Sequence, residues 1–289
     1  MPVFVPRSLE EAFAALAEAP DAQLLAGGTD FMVEVNYGHR SPSTVVALAQ
    51  VPELRGFRRE GDEVVLGAGL TYTEMESPGL SALVPALAQA ARTVGSPQIR
   101  NAGTIGGNLA TASPAGDTLP VLAALEASIT VGRGDGTRRT LTLDELVTGP
   151  KRTSLQPGDV ILDVRLPAGR GRQEFLKVGT RNAMVIAVAS AAVVVDFERH
   201  TVRIALGSVG PVVIRAREAE HEAERLVDWE ARRLTGRLEG WGDFGELVRA
   251  AARPIDDHRS TAAYRRHAVG VCACRALERA VSGLEREAA

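Results

Sequence analysis

Two glycine-bearing segments contain the residues whose types and spacing suit the binding of an anion. Gly27-Gly28-Thr29-Asp30 follows a short apolar run and precedes a segment of helical character. A turn between a strand and a helix exposes backbone N–H groups, and glycine lets the chain approach an anion closely or adopt a positive φ. Thr29 adds a hydroxyl group. The pattern predicts a cradle for a diphosphate, although paired glycines also serve turns that bind nothing.

The second segment, Gly103-Thr104-Ile105-Gly106-Gly107-Asn108, repeats this chemistry. Neither segment contains Lys or Arg, so we expect neutral backbone N–H groups of both turns to hold the phosphates. We predict that the two turns approach one diphosphate from two sides. No Gly-x-Gly-x-x-Gly follows a strand and no Gly-x-x-x-x-Gly-Lys-Ser/Thr is present, which argues against a Rossmann fold and a P-loop ATPase.

Composition narrows the class of protein. The chain of 289 residues has 33 Lys and Arg against 36 Asp and Glu, a net charge of −3 that argues against a nucleic-acid binder. The longest apolar run, residues 183–195, is too short to span a bilayer, and residues 1–4 do not begin a signal peptide. We therefore expect no membrane span and a cytoplasmic location. Only two lysines occur, Lys151 and Lys177.

Metal chemistry is not expected of this chain. Cys272 and Cys274 are too few for an iron–sulfur cluster, and we expect two buried helix thiols. The five histidines show no metal-ligand spacing. We predict no metal site and no catalytic residue.

The elements around the two turns follow from periodicity and from breaker residues. Ser8 begins a helix with a capping box, and a β-loop-α-β pattern over residues 23–48 predicts a small parallel unit. From Gly56 onward we expect strands, a hairpin and a helix over 80–94, whereas 98–120 reads as a loop. After a linker at 167–172, the pattern predicts a hairpin. The sequence then predicts three helices, at 217–237, 243–252 and 260–282.

Four motifs together resemble the FAD-binding subunit of molybdenum hydroxylases, the family of aerobic carbon monoxide dehydrogenase and xanthine dehydrogenase. They are Ala26-Gly-Gly-Thr-Asp-Phe31, Gly95-Ser-Pro-Gln-Ile-Arg-Asn101, Thr104-Ile-Gly-Gly-Asn108 and Ala112-Ser-Pro-Ala-Gly-Asp117. The segment 257–267 also resembles the C-terminal domain of the family. The resemblance implies an α+β, two-subdomain FAD-binding fold at 1–170, with a small parallel βαβ subdomain at about 1–55 and a mixed or antiparallel sheet with helices at 56–170. An antiparallel sheet with helices at 171–289 would follow.

The resemblance also implies roles for individual residues. The first turn would wrap the pyrophosphate and the second would form its other wall. Asp117 would accept hydrogen bonds at the adenosine end, Leu162 would lie against the isoalloxazine ring, and Lys177 would lie near that ring. The implied contacts to non-covalently bound FAD are Leu24, Leu25, Ala26, Gly27, Gly28, Thr29, Asp30, Phe31, Val94, Thr104, Ile105, Gly106, Gly107, Asn108, Asp117, Leu162 and Lys177.

Structural alternatives accompany these roles. Asp117 could be a helix N-cap, Leu162 a core residue in any fold, and Lys177 a surface lysine. Arg100 and Asn101 could brace the second turn.

By the resemblance, the chain would pass electrons from an iron–sulfur subunit through FAD to an external acceptor. A large molybdenum-cofactor subunit would oxidise the substrate. The resemblance also allows assembly of the three subunits as a dimer of heterotrimers. The alternatives are a stand-alone FAD-dependent oxidase, an NADPH-dependent reductase, or a nucleotide-binding regulatory protein.

Overall fold

The structure is a computed structural model that describes residues 1–236 and 242–283. Packing divides the chain into two compact units of interleaved segments. Unit 1 comprises residues 1–75, 96–113 and 127–167, and unit 2 comprises residues 76–95, 114–126 and 168–289. The sequence-based boundary at 170 follows the order of the chain, whereas this division follows packing, so the boundary stays a prediction.

Unit 1 contains two main sheets and a small hairpin. Its strands in chain order are β1 (Val3–Phe4), β2 (Gln23–Leu25), β3 (Val45–Ala47), β4 (Phe57–Glu60), β5 (Glu63–Gly67), β6 (Ser128–Gly132), β7 (Arg138–Thr142), β8 (Val147–Gly149), β9 (Arg152–Thr153) and β10 (Val160–Pro167). β1 and β2 both pair in parallel with β3. The larger sheet is antiparallel with the order β4-β5-β10-β6-β7. The parallel and antiparallel subdomains predicted from sequence are confirmed.

Unit 2 is built on a four-stranded antiparallel sheet with the order β11-β12-β13-β14. Its strands are β11 (Arg172–Val178), β12 (Ala189–Asp196), β13 (Thr201–Gly207), β14 (Ile214–Arg215), β15 (Val227–Asp228) and β16 (Arg233–Leu234). All eight residues of β12 are buried, which explains its continuous apolar sequence. The predicted C-terminal antiparallel sheet with helices is confirmed.

Helices cover these sheets and position the glycine-bearing turns. In the described residues they are α1 (Leu9–Glu18), α2 (Phe31–Asn36), α3 (Tyr72–Met75), α4 (Pro78–Leu83), α5 (Pro85–Arg92), α6 (Pro97–Ala102), α7 (Ile105–Thr111), α8 (Thr118–Ala124), α9 (Leu143–Leu146), α10 (Arg217–Leu226), α11 (Gly242–Ala251) and α12 (Ala262–Ser282). Two short 3₁₀ turns lie at Leu48–Gln50 and Pro52–Leu54. The predicted capping box of α1 is present in part, since the Ser8 hydroxyl accepts from the Glu11 N–H at 3.1 Å.

Three predictions about helices were wrong. Residues 98–120 form most of α6, all of α7 and the start of α8 instead of a loop, because Ser96 and Thr104 cap the first two of these helices. The helix predicted over 80–94 is broken into α4 and α5 where Pro85 begins a new first turn. The helix predicted over 217–237 ends at Leu226, and β15 and β16 follow it; residue 237 lies outside the described residues.

Candidate functional site

The first turn connects β2 to α2 and exposes backbone donors. Gly28 has φ +73°, a left-handed conformation that favours glycine. The N–H groups of Gly28, Thr29 and Asp30 have no partner among the residues that the structure describes. Three neighbouring N–H groups without partners, in a turn before a helix, suit the binding of a phosphate oxygen.

The second turn is the first turn of α7, and glycine is required there by close packing. A Cβ at Gly106 would lie 2.8 Å from both the Cβ and the carbonyl oxygen of Ala68. Thr104 is the N-cap residue, and its hydroxyl oxygen accepts from the Gly107 N–H at 3.0 Å. The second turn is therefore a capped helix start and not the loop predicted from the sequence.

The backbone donors of this second turn are already used. The N–H of Ile105 donates to the carbonyl of Leu70 at 3.0 Å, and the N–H of Gly106 donates to that of Ala68 at 2.8 Å. The N–H of Asn108 donates to the carbonyl of Thr104 at 2.9 Å. The prediction that both turns offer free N–H groups was wrong for the second one, because the antiparallel bridge at Thr71 and Thr104 brings carbonyls within its reach. At Gly106 and Gly107 this turn contributes a surface without side chains.

The two turns lie against each other within unit 1. A Cβ at Gly107 would lie 3.8 Å from the Cβ of Ala26. A Cβ at Gly27 would overlap the carbonyl oxygen of Ala102, at the end of α6. The predicted approach of two turns that are distant along the chain is therefore present, and glycine at both positions permits it.

Asn101 supports this arrangement from behind. Its amide oxygen accepts from the hydroxyl of Thr73 at 2.6 Å and so joins α6 to α3. The ring of Tyr72 lies where a Cβ at Gly103 would be, at 2.7 Å. Asn101 therefore links the residues just before the second turn to α3. That Arg100 and Asn101 brace this turn instead of touching the cofactor stays a prediction.

Leu162 lies in β10, in the same unit, at an irregularity in the pairing with β6. Its carbonyl accepts from the N–H of Ala68 at 2.9 Å, and Ala68 is the residue against which Gly106 packs. Its side chain is buried over Gly132, where a Cβ would lie 2.7 Å from Leu162 Cδ1. It also lines a cavity of about 230 Å³ with Phe13. Contact with a flavin ring stays a prediction.

Unit 2 brings Asp117, Lys177 and Thr93 together. Lys177 Nζ donates to Asp117 Oδ2 at 2.6 Å and to the Thr93 carbonyl at 3.0 Å. Both charged side chains are buried, so Lys177 is not a surface lysine. Asp117 occupies the N-cap position of α8, but its side chain makes no capping bond. Val94, the residue after Thr93, is half-buried.

The electrostatics of this pair are unusual. Burial raises the pKa of Asp117 to about 6, and the Lys177 ammonium opposes part of that rise. Asp117 Oδ1 is buried and has no hydrogen-bond partner. A buried acceptor without a donor is costly, so it is suited to a hydroxyl or N–H of a ligand.

The roles implied for Asp117 and Lys177 need revision as a pair. The resemblance assigns them to opposite ends of one dinucleotide. Because Lys177 Nζ and Asp117 Oδ2 lie 2.6 Å apart, the two side chains cannot contact opposite ends of an extended dinucleotide.

Comparison with known proteins identifies the chain. Residues 1–169 match the family described as the FAD binding domain in molybdopterin dehydrogenase, and residues 174–280 match the CO dehydrogenase flavoprotein C-terminal domain. The chain belongs to the FAD-binding subunits of molybdenum hydroxylases. This flavin subunit is 35% identical to the carbon monoxide dehydrogenase medium chain of Hydrogenophaga pseudoflava, covering 95% of each chain. It is 30% identical to the glyceraldehyde dehydrogenase medium chain of Sulfolobus acidocaldarius, covering 94% of this chain and 95% of that one.

Solved structures agree. A carbon monoxide dehydrogenase chain from Hydrogenophaga pseudoflava superposes with a TM-score of 0.85 at 32% identity, covering 98% of the flavin subunit and 97% of that chain. The reconstituted enzyme from Oligotropha carboxidovorans gives 0.86 at 28% identity, covering 98% of each. The sequence-based resemblance is confirmed, FAD is the cofactor, and the protein is an oxidoreductase subunit.

The residues present fit FAD. In unit 1, the unpartnered N–H groups of the first turn, beside the glycines of the second turn, offer complements to phosphate groups. In unit 2 by itself, the orphaned Asp117 Oδ1 offers an acceptor for a hydroxyl or N–H group. Within residues 1–236 and 242–283, no three His, Cys, Asp or Glu side chains are grouped to hold a metal ion. In the same part of the chain, no helix has the length and apolarity to cross a bilayer.

Proposed function

We propose that the chain is the electron-transfer subunit of a molybdenum hydroxylase complex, working with an iron–sulfur subunit and a large molybdenum-cofactor subunit. Bound FAD supplies a centre that exchanges one or two electrons, between the clusters of the partner and an external acceptor. Relatives named as medium chains or medium subunits of carbon monoxide dehydrogenase and nicotine 6-hydroxylase support this assignment. Assembly as a dimer of heterotrimers and a cytoplasmic location stay predictions from the sequence.

The observation that carries the cofactor assignment is the contact of the two glycine-bearing turns within unit 1. We assign the diphosphate to the N–H groups of Gly28, Thr29 and Asp30, with Thr104 to Asn108 forming the opposite wall. Neither turn contains a His or Cys that could form a covalent bond to the flavin, so FAD would bind non-covalently. Leu24 to Ala26 and Phe31 hold this turn between β2 and α2.

We assign Asp117 and Lys177 to a second contact region. Asp117 Oδ1 would accept one hydrogen bond from the cofactor, while Lys177 keeps the carboxylate ionised and oriented. Thr93 fixes the ammonium from the other side and positions Val94. The cofactor group that donates to Asp117 Oδ1 would show which end of FAD contacts Asp117 and Lys177.

The test uses the isolated chain and the complete complex. The purified chain, loaded with FAD and passed through a desalting column, should retain flavin absorbance. Under anaerobic conditions, carbon monoxide and candidate heterocyclic or aldehyde substrates should leave this flavin oxidised. The same substrates should bleach it once the two partner subunits are added.

Two results would contradict the proposal. Bleaching by an alcohol or by NADPH in the isolated chain, without partners, would favour a stand-alone oxidase or reductase. A colourless chain that refuses FAD would favour a regulatory protein that binds another nucleotide.

A further inference from the structure

One of the two lysines of the chain, Lys151, occupies an unusual position. It lies at the turn between β8 and β9 with φ +54°, a left-handed conformation that is unfavourable for residues with a Cβ atom. A glycine or asparagine would adopt this conformation more easily. The chain therefore has a lysine where backbone conformation does not favour one.

The backbone of Lys151 contacts the helix of the second turn. Its N–H donates to the carbonyl of Ala112 at 2.9 Å. Ala112 is the C-cap residue of α7, the helix whose first residues form the glycine wall. The left-handed conformation of Ala112, with φ 47°, ends that helix at the point where Lys151 binds it.

The side chain of Lys151 contacts the helix of the first turn. Nζ lies 2.8 Å from Glu34 Oε1 in α2 and 3.8 Å from Asp30 Oδ2 at the start of that helix. Arg40 Nη2 holds the other oxygen of Glu34 at 2.9 Å. The three segments of unit 1 are therefore joined at one residue, because Glu34, Ala112 and Lys151 each come from a different segment.

The charges around Lys151 offer a second explanation for its effect on affinity, which the test separates from spacing. Asp30 and Glu34 place two carboxylates beside the donors that we assign to the diphosphate. Lys151 and Arg40 bring two positive charges to these carboxylates. Without Lys151, α2 would carry an excess negative charge next to an anionic ligand, and like charges repel.

We propose that Lys151 is a positioning residue for the cofactor: by binding α7 through its backbone and α2 through its ammonium, it fixes the spacing of the two turns that hold the diphosphate. This inference rests on the proposed function, since it assigns FAD to these turns. Lys151 acts through Glu34 and does not itself touch the cofactor.

The test is FAD affinity of the full-length apoprotein, measured by quenching of flavin fluorescence. Lys151→Met should raise the dissociation constant about two- to fivefold, the range expected when a partly exposed ion pair is lost. Lys151→Arg should restore wild-type affinity. Arg152→Met, which removes a neighbouring exposed cation that has no ion pair among the described residues, is the matched control and should leave affinity unchanged.

A double-mutant cycle decides whether the pair acts as a unit. Glu34→Gln should weaken FAD binding as Lys151→Met does. The double variant should bind FAD no more weakly than either single variant. The visible circular dichroism of bound flavin should change in the single variants and recover in Lys151→Arg.

The outcomes separate the two proposals. A wild-type chain that binds no FAD overturns the proposed function together with this inference. A wild-type chain that binds FAD as tightly as Lys151→Met overturns only the role of Lys151. Tighter binding by Glu34→Gln also overturns it, because charge rather than spacing would then control affinity.

Discussion

Lys177 Nζ lies 2.6 Å from Asp117 Oδ2, and both side chains are almost fully buried. Removing two charges from water is expensive, and their attraction offsets this only when other hydrogen bonds complete the pair. Here the Thr93 carbonyl accepts a second hydrogen bond from the ammonium, while Asp117 Oδ1 has no partner. One oxygen of the buried carboxylate is therefore left without a hydrogen bond.

The stability of the apoprotein should depend on the protonation of Asp117. Its pKa in the folded chain, about 6, lies above the ordinary 3.8, so its contribution to stability is full below pH 3.8 and is lost as the pH rises through 6. Between these limits, the stability of wild type relative to Asp117→Asn should fall by about 3 kcal/mol. Urea unfolding of both proteins across this pH range measures the difference in their unfolding free energies. A difference that does not change with pH would contradict a pKa raised by burial.

Lys177 should hold the pKa of Asp117 down. In Lys177→Met the buried carboxylate loses its cation, so its pKa should rise further above 6, whereas Lys177→Arg should keep it near the wild-type value. Carbon-13 NMR of the Asp117 carboxyl group measures each pKa directly. We also expect Lys177→Met to cost about 3 kcal/mol of unfolding free energy at neutral pH, because one partner of a buried pair is removed. An unchanged pKa would mean that the pair is open in solution.

Gly27 should tolerate no side chain. In Gly27→Ala the new Cβ would overlap the Ala102 carbonyl, so the turn or the end of α6 must move. We expect a loss of about 2 kcal/mol in unfolding free energy, together with much weaker FAD binding. The control is Gly149→Ala, in the same unit, where the nearest atom would be 3.8 Å from the new Cβ. Equal behaviour of the two variants would show that the turns do not pack as described.

The two cysteines should be unreactive in the folded chain. Burial raises the pKa of the Cys272 thiol to about 11 and that of Cys274 to about 12, so little thiolate exists at pH 8. A thiol reagent such as DTNB should label neither cysteine in native protein and both in denaturant. Rapid labelling of the native chain would place α12 at the surface rather than in the core.

The sequence predicted the sheets and the approach of the two turns well, because these depend on local signals. Gly27 and Gly106 mark positions where a side chain cannot fit, and Gly28 marks a left-handed backbone conformation. Apolar runs mark the strands. The donors of the second turn could not be judged this way. Their use depends on the carbonyls of Leu70 and Ala68, which come from a different segment of the chain.

The remaining errors have the same physical origin. Asp117 and Lys177 are 60 positions apart in the sequence, and no local sequence pattern predicts an ion pair between residues so far apart. The charged segment after Leu226 has helical composition, yet it forms the hairpin of β15 and β16, in which Val227 is buried in the core of unit 2. Tertiary burial overrode the intrinsic preference of the segment.

The strand order of the larger sheet in unit 1 has a consequence for biosynthesis. β10, the central strand between β5 and β6, is the last part of this unit to leave the ribosome. Until Pro167 has emerged, the nascent chain has two separate β-ribbons, β4–β5 and β6–β7, each with an inner edge exposed. Completion of this larger sheet must therefore wait until β10 has been translated, and exposed edges of this kind are where chaperones would be needed.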